Sequence, residues 1–277
     1  MNKDMRMALA FMKMHGLGND FVVLDNRARE FPITPNLAKA IGSRQTGIGF
    51  DQLAAIYREN DKTRLRFWNA DGSVSGACGN ATRCIARYLM DEFSTDRIEL
   101  HTDRGELIAI DAGNGLTSVN MGHPQTEWHE IPLARAIDTL ELPIDGSPTA
   151  TGMGNPHCTF FVENAEEIDL GAFGPAIERN PLFPERTNVQ VATVMEKNHM
   201  RVRVWERGAG ITMASGSSSC AVAVAAVRRG FAGPNVRVEL DGGALDIEWR
   251  DDGVWMTGPT MHVCSGTITE EFLAGAT

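Results

Sequence analysis

The sequence is short of cysteine, short of basic residues and without long apolar runs, and each shortage removes a class of function. Five cysteines among 277 residues is an odd number, and no two are spaced as a CxxC pair. That usage argues for reduced thiols in a reducing compartment over a disulfide framework, and it offers no zinc motif. Lys and Arg number 26 against 36 Asp and Glu, a net charge of −10. A surface that neutralises phosphates is therefore missing, and nucleic acid is excluded as a partner. No stretch approaches the roughly 18 apolar residues of a membrane helix. Residues Met1 to Ala10 lack the apolar core of a secretory signal. The expectation is a cytoplasmic protein with a small-molecule partner. The glycine turns contain neither GxGxxG nor a P-loop lysine, which argues against a nucleotide site.

What is present is a chain that contains itself twice. Gly16-Leu17-Gly18-Asn19 recurs as Gly152-Met153-Gly154-Asn155. Leu65-Arg66-Phe67-Trp68 recurs as Val202-Arg203-Val204-Trp205, and Ala77-Cys78-Gly79 as Ala214-Ser215-Gly216. Three matches at nearly one offset outweigh the weakness of each alone. The periodicities repeat as well. Phe21 to Leu24 and Thr159 to Val162 read as buried strands. Arg64 to Trp68 and Arg201 to Trp205 alternate as strands. Asn80 to Leu89 reads as a helix, and Cys220 to Val227 as an alanine-rich helix surrounded by closely packed strands. Each half then ends in a meander: Ile98–His101, Leu107–Asp111 and Thr117–Met121 in the first, Val236–Leu240, Ala244–Trp249 and Val254–Thr257 in the second. Glycine with Asn or Asp marks the intervening turns.

With 43% apolar residues the chain can fill two cores. The expected fold class is mixed α/β with mainly antiparallel sheets: two pseudo-symmetric duplicated domains, each a sheet wrapped around a central helix. Residues 1–125 form the half carrying Cys78, and 126–262 the half carrying Ser215. Residues 263–277 return to the first half, and Gly146-Ser147-Pro148 is read as a linker. Such a pair would set equivalent loops across an inter-domain cleft, a common ligand site.

Cys78 stands between a strand and a helix. A helix N-terminus presents unpaired N–H groups and a positive dipole end, which favours the thiolate; the other role open to it is that of a small buried filler. Ser215 is its counterpart. Two groups on opposite sides of a substrate suit racemisation, although a serine there also suits a helix N-cap. Cys84 and Cys220 read as inward-facing packing residues, and Cys158 and Cys264 as packing residues in strands. His157, in a glycine–proline turn, is either a substrate-orienting group or a surface-loop histidine. Glu206 and Arg207 end a strand, where they suit a zwitterionic ligand or form an exposed ion pair.

At these residues the sequence resembles the diaminopimelate epimerase family. The resemblance rests on the segments Lys13-Met14-His15-Gly16-Leu17-Gly18-Asn19-Asp20-Phe21, Gly47-Ile48-Gly49-Phe50-Asp51-Gln52 and Asn69-Ala70-Asp71-Gly72-Ser73 through Cys78-Gly79-Asn80. It extends to Gly154-Asn155-Pro156-His157, Glu185-Arg186-Thr187-Asn188 and Glu206-Arg207-Gly208-Ala209-Gly210. It implies conversion of L,L-diaminopimelate to the meso form, on the route to lysine and peptidoglycan, with no cofactor and no metal. It implies that Cys78 is one of two thiols in a base/acid pair, that His157 and Glu206 support the chemistry, and that Asn19, Gln52, Asn69, Asn155, Asn188 and Arg207 hold substrate. Gly79, Asn80, Gly216 and Ser217 would cradle the reacting carboxylate. A homodimer is also implied.

The pattern breaks at Ser215, where the family has cysteine; the family also often has Glu at Ile211. A thiol titrates near 8.5 and an alcohol is a far weaker acid, so serine is a poor one-for-one replacement. Three accounts stand side by side. The serine was introduced deliberately to trap the enzyme; or it is natural and epimerase activity persists through a water or His157; or the chain is a one-base relative, another amino-acid racemase or a β-hydroxy amino-acid lyase. A catalytically silent amino-acid-binding protein is a reading from a different class.

Overall fold

A computed structural model describes residues Ala8–Ala276. In chain order the elements are β1 (Leu9–Gly16), β2 (Asn19–Asp25), α1 (Pro35–Gly42), β3 (Gln52–Glu59), β4 (Lys62–Asn69), β5 (Val74–Ser75), α2 (Gly79–Phe93), β6 (Arg97–Thr102), β7 (Gly105–Gly113) and β8 (Leu116–Asn120). There follow β9 (Thr149–Gly152), β10 (Pro156–Phe161), α3 (Leu170–Glu178), β11 (Asn188–Glu196), β12 (His199–Glu206), β13 (Gly210–Thr212), α4 (Gly216–Arg228), β14 (Asn235–Leu240), β15 (Gly243–Arg250), β16 (Gly253–Pro259), β17 (Met261–Ile268) and α5 (Glu270–Gly275). No helix among the described residues is long and apolar enough to cross a membrane.

The internal repeat is visible strand by strand. β2 and β3 pair parallel, β3 and β4 antiparallel, β4 and β5 antiparallel, β4 and β6 parallel, β6 and β7 antiparallel. The same five relations recur for β10–β11, β11–β12, β12–β13, β12–β14 and β14–β15. Thus the mixed α/β, mainly antiparallel architecture is built twice.

One compact unit gathers Ala8–Gly16, Asp20–Thr117 and Pro259–Ala276; the other gathers Leu17–Asn19 and Ser118–Gly258. The sequence reading placed the divisions near residues 125 and 262; here they fall at Thr117/Ser118 and Gly258/Pro259. The difference has a packing cause. Ile131, Leu133 and Leu142 are buried in a core cluster with Phe160, Leu170 and Val189 of the second unit. Gly146-Ser147-Pro148 is accordingly no loose linker. Gly146 and Ser147 adopt positive φ, Ser147 N–H donates to Ile144 O, and Leu142 N–H donates to Pro148 O, a tight turn that feeds β9. After β16 the chain pairs β17 antiparallel with β1, from Leu9↔Ile268 to His15↔Met261.

Both central helices are longer than the periodicity suggested. In α4 the run Gly216-Ser217-Ser218-Ser219, poor helix formers by propensity, is helical and mostly buried, and Ser218 through Ala226 are all buried. Small side chains let strands approach this helix from most directions, and tertiary packing overrides the local preference. Cys84, Cys158 and Cys220 are fully buried, in agreement with their packing role. Cys264 departs from it: the thiol is exposed, because β17 is exposed along nearly its whole length and strand alternation buries nothing there.

The end of β12 is fixed from behind by α3. Trp205 Nε1 donates to Glu178 Oε2 at 2.7 Å, and a Cβ on Gly174 would meet the Trp205 ring at 2.5 Å. Gly174→Ala therefore sets a helix-propensity gain of about 1 kcal/mol against an overpacking cost of about 1–3 kcal/mol. We expect net destabilisation, read as a lower Tm with a shifted tryptophan emission; a raised Tm would show that the indole yields without cost.

Candidate active site

In the first unit the site is built at the N-terminus of α2. Cys78 occupies the N-cap in extended conformation, and Ala81 N–H donates to its Sγ at 3.5 Å. The sulfur is thus held against the positive end of a 15-residue helix, where negative charge is favoured. Asn80 is buried beside it, its Oδ1 accepting from Arg83 Nη1 at 2.9 Å, while Arg83 Nε donates to Pro259 O. The ends of β3 and β4 bring Gln52 and Asn69 together: Gln52 Nε2 donates to Asn69 Oδ1 at 3.1 Å and to Ser75 Oγ at 3.3 Å. Ser75 in turn donates to Ala77 O, just before Cys78.

A ring of charges holds the start of β3. Lys13 donates to Asp20 and to Gly49 O, and Arg44 bridges Asp20 and Asp51. The backbone N–H of Asp51 donates to Asp20 Oδ1, and Gln52 follows directly. Burial pushes the Asp20 carboxyl up, but the hydrogen bonds and charges of Arg44 and Lys13 outweigh it and hold the group below the usual carboxylate value.

In the second unit the equivalent cap is chemically different. Ser215 is the N-cap of α4, but its side chain makes no capping bond. It is 4% exposed, and its Oγ donates instead to Glu206 Oε2 at 3.0 Å; Thr212 Oγ1 donates to Glu206 Oε1 at 2.7 Å. A carboxylate is a stronger acceptor than the local amides can offset as donors, so the hydroxyl is drawn off the helix end. Positive φ at Gly208 and Gly210 makes the turn that brings β13 back along Glu206. Ile211, where the family often has Glu, is 51% exposed on β13.

His157 is not in a surface loop. It lies within β10, fully buried, with Nε2 2.9 Å from Asn155 Oδ1 and Nδ1 3.0 Å from Gln190 Nε2. Asn188 fastens three segments: its Nδ2 donates to Pro156 O, and its Oδ1 accepts from Arg207 N–H. The Arg207 guanidinium reaches Glu185 O at 2.8 Å. Asn19 belongs with this unit, in the turn of Leu17 and Gly18, where a Cβ on Gly18 would meet Met213. Gly216 and Ser217 open α4. The structure therefore gathers Asn155, His157, Asn188, Glu206, Arg207, Ser215, Gly216 and Ser217 within one unit, and Gln52, Asn69, Cys78, Gly79 and Asn80 within the other.

Cys84 and Cys158 are unsuited to acid–base work. Burial pushes Cys84 up to about 11 and Cys158 higher still. Gln190, Ser218 and Thr212 were not singled out by sequence; a polar residue in an alternating strand reads as solvent-facing, and only the fold shows Gln190 to be fully buried.

Asp20 yields a pH test. Its carboxyl is depressed in the fold, so its contribution to stability is present above the unfolded value near 4 and is lost as pH falls through the lower folded value. Asp20→Asn should flatten the acid limb of the stability curve below about pH 4 in denaturant titrations; an unchanged limb would place the acid sensitivity elsewhere.

Comparison with known proteins identifies the family. The family model for diaminopimelate epimerase matches residues 11–127 and 149–263. The diaminopimelate epimerase of Rhodospirillum centenum is 47% identical, covering 98% of this chain and 96% of that protein. That of Phenylobacterium zucineum is 49% identical, covering 95% and 98%. Among solved structures, a hydroxyproline epimerase from Agrobacterium vitis shares the fold with a TM-score of 0.69 at 10% identity, covering 98% of this chain and 96% of that one. A phenazine biosynthesis protein of the PhzF family from Bacillus anthracis gives 0.68 at 13%, covering 95% and 99%. The chain belongs to the diaminopimelate epimerase family, a family of isomerases.

Proposed function

We propose that this chain epimerises L,L-diaminopimelate to the meso form by proton transfer at one α-carbon, with Cys78 as one pole and the Ser215–Glu206 pair as the other. The observation that carries the reading is the chemistry at two equivalent helix N-caps: a thiol on α2, and on α4 a hydroxyl hydrogen-bonded to a carboxylate. In the forward step the Cys78 thiolate takes the α-proton. The Cα–H bond breaks, an S–H bond forms, and the electron pair passes into the substrate carboxylate as an enediolate. Backbone N–H groups of Gly79, Asn80, Gly216 and Ser217 supply the stabilising donors, each worth about 2.7–4 kcal/mol in sites of this kind. Asn19, Gln52, Asn69, Asn155, Asn188 and Arg207 hold the remaining carboxylate and amino groups, and fixed placement of the far end orients the reacting end.

The opposite face is served by a relay. With Glu206 ionised, Ser215 donates to it, as the hydrogen bond stands. When Glu206 carries a proton the bond reverses, and Ser215 passes its own proton to carbon while Oγ receives the one from Glu206. His157 supports the substrate-holding side of the site through Asn155. Serine is a far weaker acid than a thiol, so abstraction by Cys78 outruns inversion. The same one-thiol chemistry supports a second reading, elimination from a β-hydroxy amino acid, with Cys78 as base and Ser215 protonating the leaving hydroxyl. A cytoplasmic location and a homodimer complete the proposal. The cysteines, none of them disulfide-bonded, support the first; Met261 and Val263, each more than half exposed on β17, offer apolar area for the second.

Proton NMR in D2O with the L,L and meso isomers tests the reading. For one isomer, deuterium should enter the α-position faster than the other isomer appears. Ser215→Cys should raise the inversion rate by about 10²–10⁴-fold, the usual worth of a positioned acid or base, and Cys78→Ala should abolish both processes. No exchange in either the parent chain or Ser215→Cys would reject the substrate assignment; loss of the hydroxyl from a β-hydroxy amino acid would favour the lyase.

A further inference from the structure

Resting on the epimerase reading, we infer that Gln190 is a positioning residue: through the tautomer of His157 it fixes which end of the Asn155 amide faces substrate. The argument starts from four fully buried polar side chains, Thr159, His157, Gln190 and Ser218. β10 and β11 run parallel with His157 beside Asn188 and Thr159 beside Gln190, so the Gln190 side chain shares a sheet face with His157. Thr159 Oγ1 donates to Gln190 Oε1 at 3.2 Å. Gln190 Nε2 donates to His157 Nδ1 at 3.0 Å and to Ser218 Oγ, in the first turn of α4, at 3.0 Å.

An amide nitrogen can only donate, so Nδ1 of His157 is an acceptor, and the ring proton resides on Nε2. Nε2 then donates to Asn155 Oδ1 at 2.9 Å. With its oxygen engaged, half-buried Asn155 keeps Nδ2 as its outward group, a donor suited to a carboxylate. Turning the Gln190 amide over would reverse every link: Nδ1 would carry the proton, Nε2 would accept from Asn155 Nδ2, and Asn155 would present an oxygen that repels a carboxylate. Gln190 therefore sets the polarity of a group two hydrogen bonds away, and through Ser218 it also ties β10 to the start of α4. Gln190 and Ser218 touch no reacting atom in this scheme.

The test uses the full chain labelled with [15N]histidine, the His157 signal being assigned by its disappearance in His157→Asn. Long-range 1H–15N spectra should show His157 protonated at Nε2 and unprotonated at Nδ1. In Gln190→Glu, whose carboxylate can only accept, Nδ1 should become protonated. Gln190→Met, close to isosteric and checked by thermal melting, should weaken L,L-diaminopimelate binding about tenfold, the scale of one charge-assisted hydrogen bond. It should raise KM more than it lowers kcat, and it should have little effect in an Asn155→Ala background. Protonated Nδ1 in the parent chain, or an equal effect of Gln190→Met with and without Asn155, would overturn the inference. A parent chain with the Nε2–H tautomer that binds no L,L-diaminopimelate would instead overturn the substrate reading and leave the tautomer assignment standing.

Discussion

The proposed chemistry rests on how two helices satisfy the unpaired N–H groups at their N-termini. Every helix leaves such donors, and the residue at the cap decides what they meet. On α2 the cap is Cys78, whose sulfur accepts from Ala81 N–H. On α4 the cap is Ser215, whose hydroxyl turns away to Glu206. One duplicated scaffold thus yields two unlike poles. The difference follows from acceptor strength: a carboxylate within reach draws a short, rigid hydroxyl, and the amides of α4 are left for another acceptor.

The rest of the second unit serves that arrangement. The buried alanines of α4 allow β9, β11 and β15 to approach its sides, and the same closeness brings Ser218 within reach of Gln190. On the other side Trp205 is held by Glu178 and by the missing side chain of Gly174. Strand β12 therefore delivers Glu206 from a rigid base. In the first unit the ring of Lys13, Asp20, Arg44 and Asp51 does the equivalent work for Gln52. Precise placement of polar groups on strands, as distinct from loops, is what the proposed proton transfer requires.

The legibility of these features in the sequence was uneven for identifiable reasons. The repeat was readable because duplicated strands keep both their spacing and their alternation, as Arg64–Trp68 and Arg201–Trp205 do. Helix α4 was read short because Gly216 through Ser219 have poor helix propensity and owe their conformation to burial. Cys264 was misread because a strand pattern does not reveal that both faces of β17 are exposed. His157 was read into a turn, whereas β10 runs through it and buries it.

By itself the sequence determined the doubled α/β architecture, the position of Cys78 at a helix start, and the anomaly at Ser215. The first two are properties of periodicity and glycine placement; the third is residue identity set against the family the sequence resembles. Only the tertiary structure decided that Ser215 bonds to Glu206 and not to its own helix, that Gln190 lies against His157, and that residues 118–148 belong with the second core. Those outcomes depend on which face of a strand is covered and on which acceptor comes within about 3 Å, and neither is encoded in the spacing of residues along one segment.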